Sequence, residues 1–311
     1  MAEQWKGTAG STEERLGELR ARRAEQRRSR TRRRRIRTAL ALTALAVVGA
    51  AIAVVVGGGS GRQHVLGSGS PVKATVGRAR NAVPQAGWRP HTGPVPILEY
   101  HVLGAPPSEA SYPELYVTRS DFHRQMDWLD RHGYEAVTLE QVERAWYHGA
   151  TLPQKPVVLS FDDGYRPQFT YALPELRRHG WAGVLNLKAE GSDLYHSNVE
   201  AMIEAGWELA AHTIHHLDLT ELDPAQLREE VAGSRAILRR EYGVPVDNFC
   251  YPAGRFDPTV IAAVKAAGYL GATTEIRGYA SRDRPYELSR FEILGSSGIE
   301  GLAADLRSAP G

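Results

Sequence analysis

The 311-residue sequence predicts an α/β protein: a (β/α) barrel of seven or eight strands, preceded by a single N-terminal transmembrane helix. Three observations carry that expectation. Nineteen uncharged residues, Thr38 to Val56, directly follow an Arg-rich run. Beyond residue 94, short apolar runs alternate with helical segments, as in a mostly parallel sheet. No dinucleotide-type glycine signature favours an open sheet over a closed one.

The overall charge of +2 conceals an asymmetry. Residues 1–37 hold twelve Arg and one Lys against five Glu, a net of +8, which leaves −6 for the rest of the chain. The run TALALTALAVVGAAIAVVV (38–56) then spans roughly 28 Å at ~1.5 Å per residue, close to the ~30 Å hydrocarbon core of a bilayer. A cleaved signal peptide competes, because AIA at 51–53 resembles a cleavage site, but the preceding basic segment is too long for one. With an anchor, the positive-inside rule puts residues 1–37 in the cytoplasm and the remainder outside it. The run RRSRTRRRRIR could bind nucleic acid, yet its place beside a span is explained by topology and anionic lipid, so no nucleic-acid partner is expected. Residues 57–93, rich in Gly and Ser at their start, read as a flexible tether, and 94–311 as the catalytic domain. The single cysteine, Cys250, offers no disulfide framework and reads as a small buried core residue.

Within the domain, PILEYHV, EAVTL, PVVLSF, AGVLNLK, WELAAH, NFCYP, LGATT and SRFEI are the strand candidates. Helices are expected from Ser120, from Asp223-Pro224 to about Tyr242 and from Asp257-Pro258 to Ala267, with Gly180, Gly206, Gly243 and Gly268 as stop signals. In a barrel, chemistry gathers where strands end. VVLSFDDGY (157–165) ends an apolar run with two adjacent carboxylates, Asp162 and Asp163, which disfavour each other's ionisation without a compensating cation or hydrogen bonds. WELAA is followed by HTIHH, which puts His212 and His216 four residues apart. On a helical turn both rings would share one face and suit one metal. An aspartate with two histidines leaves a position for water, as catalytic sites do. Imidazole and carboxylate suit Zn²⁺, with Co²⁺, Ni²⁺ or Mn²⁺ open. His215 is expected to point elsewhere, and His123, His132, His148 and His179 to lie on solvated helix faces.

SFDDGY and HTIHH together resemble the polysaccharide deacetylase family, carbohydrate esterase family 4, over roughly residues 95–295. The resemblance implies a distorted (β/α) barrel and removal of acetyl groups from sugar polymers. It implies that Asp163, His212 and His216 bind the metal and that Asp162 is the general base acting on metal-activated water. The family's third motif is altered: CYPAGRF has Cys250 in place of an arginine. The Ala253 N–H is the expected oxyanion donor, and Arg255 or Arg290 the expected substitute for that arginine in orienting Asp162. The late Leu-x-His motif is missing. PILEYHVL resembles the circularly permuted poly-N-acetylglucosamine deacetylases, which makes His101 the expected general acid. In a barrel the first strand neighbours the last, so His101 can fill that place. Tyr112, Tyr116 and Tyr195, on the inserts 104–116 and 191–198, are candidate sugar-stacking platforms.

The expected activity is N-deacetylation of an N-acetylglucosamine-containing cell-surface or cell-wall polysaccharide. An O-acetyl esterase, a small-amide hydrolase and a non-catalytic wall-polymer-binding protein are the alternatives.

Overall fold

The computed structural model describes residues 77–308. The expected cytoplasmic tail, membrane span and most of the tether lie outside the described residues. Among those described, no helix is long and apolar enough to cross a membrane.

Eight strands form the main sheet: β1 (Ile97–Tyr100), β2 (Glu135–Val137), β3 (Pro156–Asp162), β4 (Val184–Leu187), β5 (Glu208–Ala211), β6 (Asn248–Cys250), β7 (Gly271–Arg277) and β8 (Leu288–Glu292). Seven of them close in the order β1-β8-β7-β6-β5-β4-β3 and back to β1, every pairing parallel. The eighth, β2, pairs in parallel with the start of β3, from Pro156 to Val158. Between β7 and β8 the register shifts from Thr273↔Leu288 to Arg277↔Arg290, an irregularity consistent with a distorted barrel.

Among the described residues the helices are α1 (Arg119–Arg131), α2 (Leu139–His148), α3 (Leu173–His179), α4 (His196–Glu204), α5 (Pro224–Arg228), α6 (Ser234–Tyr242), α7 (Pro258–Ala266) and α8 (Gly298–Arg307). Local chemistry sets their ends. Asp223 and Asp257 accept from first-turn N–H groups ahead of Pro224 and Pro258, and Thr138 makes a capping box with Gln141. The first helix begins earlier than Ser120: Thr118 is its cap, accepting from the Asp121 N–H. Two π-helical turns interrupt the helical layer, Gln168–Ala172 before α3 and Glu229–Gly233 between α5 and α6.

The tether expected over 57–93 is ordered in its last part. Residues 80–82 form a 3-10 turn, the Ala79 N–H bonds the Ala205 carbonyl, and Ala79, Asn81 and Trp88 are buried. The Asn81 amide donates to the Ala136 carbonyl. Gly and Ser dominate only the earlier part of that stretch. From Ala79 on, apolar and amide side chains find partners against the barrel.

Strand residues alternate faces. On β3, Val157, Leu159 and Phe161 join the core shared with the helices, whereas Val158 belongs to a separate inner cluster with Ile97, Val184, Ala210 and Leu288. The same alternation sets Ser160 and Asp162 on the interior face, together with Glu99, Asn186, Cys250 and Arg290, all buried. The barrel therefore encloses an apolar layer with a polar one at its C-terminal end.

Candidate active site

β3 delivers Asp162 at its last position. Asp163 leaves the strand with φ 74°, and Gly164 follows at φ 74°. A Cβ at Gly164 would collide with Leu187 Cδ1 at 2.6 Å, so glycine is needed both for this turn and for its packing. Across the barrel end, His212 follows β5. Its ring and that of His216 lie 4.8 Å apart between centroids. Asp163 Oδ1 is 3.8 Å from His212 Nε2 and 3.6 Å from His216 Nε2.

His212 and His216 are not brought together by a helical turn. Residues 213–216 form an irregular bend in which Thr213 (φ 63°) and His216 (φ 58°) are left-handed. Thr213 Oγ1 accepts from the His216 N–H at 2.8 Å. The buried Glu230, on the second π-helical turn, grips the bend. Its Oε2 accepts from the Ile214 and His215 N–H groups at 3.0 and 2.9 Å, and its Oε1 meets His215 Nδ1 at 2.6 Å. His215 thus points away from Asp163, and its bond to Glu230 raises its pKa. Among the described residues, four non-glycines have positive φ: Asp163, Thr213, His216 and Ala253. All four belong to the motifs carrying the expected chemistry, where backbone strain of ~1–3 kcal/mol each is held by surrounding structure.

The donor set fits a divalent ion. His212 Nδ1 lies 2.9 Å from the Cys250 carbonyl, so it carries the proton and leaves Nε2 a free lone pair toward Asp163. Burial lowers the pKa of both His212 and His216, which favours neutral, ligating imidazoles. Burial alone would raise the Asp163 pKa, but His212, Lys188 and His216 bring it below the usual carboxylate range. Lys188 Nζ approaches Asp163 Oδ1 to 3.4 Å. Burial, reinforced by Asp163, pushes the neighbouring Tyr165 phenol up.

Asp162 sits behind this set. Its Oδ1 accepts from Asn186 Nδ2 at 2.7 Å and Arg290 Nη1 at 2.9 Å. Its Oδ2 receives the Cys250 thiol at 3.3 Å. Burial raises the Cys250 pKa and keeps that thiol protonated as a donor, so Cys250 is part of the site rather than core filler. Burial would likewise raise the Asp162 pKa, but Arg290, His212 and His101 overcome it and hold the carboxylate ionised. Arg255 does not contribute to this arrangement: it is paired with Asp218 on the surface.

Arg290 also approaches Glu99 Oε1 to 3.0 Å, without hydrogen-bond alignment. One guanidinium cannot neutralise two buried carboxylates equally, and burial pushes the Glu99 pKa well up. Glu99 is therefore the protonated member of the pair. His101 follows β1 beside it, with Nε2 3.7 Å from Glu99 Oε1. Burial lowers the His101 pKa, opposed by Asp162 and Asp163. The buried Gln168, on the first π-helical turn, ties the two strand ends: its Nε2 donates to the Asp162 carbonyl at 2.6 Å and the His101 carbonyl at 2.9 Å. Ala253 stands exposed in the Pro252–Gly254 turn at φ 51°. Tyr112 and Tyr195 are exposed and Tyr116 half-buried, and the Arg166 guanidinium lies 4.4 Å over the Tyr195 ring. His179 departs from the solvated position expected of it, stacking on Trp181 with its side chain largely covered.

Sequence reading missed Asn186, Gln168, Lys188, Glu230 and Glu99. Asn186 and Glu99 left a trace as lone polar residues inside apolar strands. Gln168 and Glu230 left none, because their roles depend on π-helical turns.

The Polysaccharide deacetylase family matches residues 149–272. YxkH of Bacillus subtilis (strain 168), assigned as a polysaccharide deacetylase, is 30% identical over 67% of this chain and 74% of its own length. The poly-beta-1,6-N-acetyl-D-glucosamine N-deacetylase of Escherichia coli (strain K12) is 36% identical over 30% of this chain, a match spanning 14% of that protein. Among solved structures, the Streptococcus pyogenes deacetylase PplD in complex with acetate has the same fold, with a TM-score of 0.65 at 24% identity, covering 71% of this chain and all of that one.

Proposed function

The chain belongs to the polysaccharide deacetylase family of hydrolases, and we propose that it is a metal-dependent N-deacetylase of an N-acetylglucosamine-containing cell-surface or cell-wall polysaccharide. One observation carries the reading: Asp163, His212 and His216 converge on one point, with Asp162 held ionised beside them by Arg290.

Asp163, His212 and His216 would hold a divalent ion, zinc in this reading, which would supply Lewis acidity and make water a stronger nucleophile at neutral pH. Asp162 takes the proton of the attacking water. Its Oδ2, facing the weak thiol donor, is the freer oxygen, while Asn186 and Arg290 fix Oδ1. The Ala253 N–H, presented by its left-handed turn, stabilises the developing oxyanion. His101 delivers a proton to the departing amine, and Gln168 keeps it in register with Asp162. Tyr112, Tyr116 and Tyr195 offer stacking surfaces for neighbouring sugars. An anchor over 38–56 would hold this domain outside the cytoplasm, next to such polymers.

The full-length protein, supplied with zinc, is assayed for acetate release from chitooligosaccharide, poly-N-acetylglucosamine and acetylxylan. Release from the amide substrates, lost in Asp162→Asn, is expected. Release from acetylxylan alone would replace the reading with an O-acetyl esterase, and binding without release would replace it with a wall-polymer-binding protein.

A further inference from the structure

The opposite, N-terminal end of the barrel holds a second group of chemistry-bearing side chains. Glu208 and Asn248 stand at the starts of β5 and β6, and Gly271 at the start of β7. Glu143 reaches them from α2, whose Leu139, Val142, Ala145 and Trp146 pack into the inner apolar cluster. Asn248 Nδ2 donates to Glu143 Oε2 at 3.1 Å and to Glu208 Oε1 at 2.9 Å. Two acceptors on the amide's nitrogen side fix its orientation and turn Oδ1 the other way.

That leaves an imbalance. Asn248 Oδ1 and Glu143 Oε1 are buried without a hydrogen-bond partner, in residues 1% and 5% exposed. Both converge over Gly271: an added Cβ there would lie 2.5 Å from Glu143 Oε1, 2.9 Å from Asn248 Oδ1 and 3.1 Å from the Pro285 carbonyl oxygen. Three acceptor oxygens crowd against Gly271, where any side chain would collide with them. Among the described residues neither Glu143 nor Glu208 has an ion-pair partner. The basic residue adjacent to Glu143, Arg144, is turned to Glu140 instead. Glu208 Oε2 accepts the Glu140 N–H at the start of α2 at 2.8 Å, whereas Glu143 Oε1 and the amide oxygen have no donor.

We propose that Glu143 Oε1, Asn248 Oδ1 and the Pro285 carbonyl form a binding site for a hard divalent cation such as calcium, with water completing its shell. All-oxygen donors of this kind select calcium-like ions, in contrast to the histidine-rich set at the other end. The cation neutralises Glu143 and Glu208 together and joins α2, β6 and the segment before β8, so it acts on the stability of the barrel floor and not on the reaction. Burial, reinforced by the nearby Glu208, pushes the Glu143 carboxyl up to about 8.

Terbium, which takes the same oxygen ligands, reports the site by luminescence sensitised through Tyr147 and Tyr286, whose phenols feel the Glu143 charge. The full-length, chelator-stripped protein is titrated with Tb³⁺ and then with Ca²⁺. Saturable emission is expected, displaced by Ca²⁺, unchanged in His212→Ala and reduced at least tenfold in Glu143→Gln. Ca²⁺ is also expected to raise the melting temperature of the parent and not of Glu143→Gln, whose retained acetate release shows that it is folded. Emission equal in parent and Glu143→Gln, or lost in His212→Ala, overturns the proposal. So does a melting temperature that responds to pH but not to Ca²⁺, because a proton then satisfies Glu143.

Discussion

Arg290 on β8 and Asp162 on β3, 128 residues apart in sequence, meet at 2.9 Å inside the barrel. β1 lies between their strands, and it contributes Glu99 to the same guanidinium. Arg290 therefore decides which of two buried carboxyls stays ionised. Arg290→Met should leave Asp162 with only Asn186 and the thiol as donors. A loss of acetate release of at least ~100-fold is expected, with a destabilisation of about 3–5 kcal/mol from unpaired buried charge, measured by denaturant melts. Glu99→Gln, which mimics the protonated acid, should leave the stability of the parent and of Arg290→Met nearly unchanged, a small coupling read from the double-variant cycle.

Removal of the His101 imidazole should separate two substrates. His101→Gln is expected to slow amide hydrolysis by about 10²–10⁴-fold. An aryl acetate, whose leaving group departs without a proton, should lose far less. Equal losses on both would assign His101 to the architecture of the site instead of proton delivery.

Chelation should abolish turnover, and added Zn²⁺ or Co²⁺ should restore it. Asp163→Asn and His216→Ala are expected to remain folded but to show no restoration at micromolar metal, as read by acetate release and metal content.

Glu230 touches none of the three expected ligands, yet it holds the bend that positions His216. Glu230→Gln keeps one acceptor and Glu230→Ala keeps none. Metal affinity should fall by about 10–100-fold in the alanine variant and less in the glutamine variant, measured by competition with a zinc chelator.

Without divalent cation, the barrel floor should make stability depend on pH. In the folded chain Glu143 titrates at about 8 and Glu208 at about 7, both above the ordinary 4.5 of an unfolded chain. Between these limits the unfolded state binds fewer protons, so stability falls as pH rises from ~4.5 to ~8. Glu143→Gln should flatten that slope by on the order of a few kcal/mol across the window, as followed by melts in chelator.

All eight strand segments were legible in advance, because uninterrupted runs such as PVVLSF and alternations such as WELAAH record burial directly. Asp223-Pro224, Asp257-Pro258 and the glycine stops marked helix ends through local hydrogen bonding, which needs no tertiary information. Thr118 and Ser120 are both competent caps in sequence, and only the path of the chain into the helix selects Thr118. Cys250 read as core because a thiol's burial is visible in sequence but its neighbour is not.

By itself, then, the sequence determined the alternating α/β pattern, the two adjacent aspartates at a strand end and the paired histidines, since each is fixed by period or spacing along the chain. The tertiary structure alone decided the rest. Closure of the ring set Arg290 rather than Arg255 against Asp162, and only one of the two arginines lies on an inward strand position. The bend at 213–216 depends on a carboxylate 15 residues away and on backbone angles that no local propensity favours. The electrostatic outcome, with Asp162 ionised and Glu99 protonated, follows from burial and from one guanidinium shared between strands, quantities that exist only once the barrel has closed.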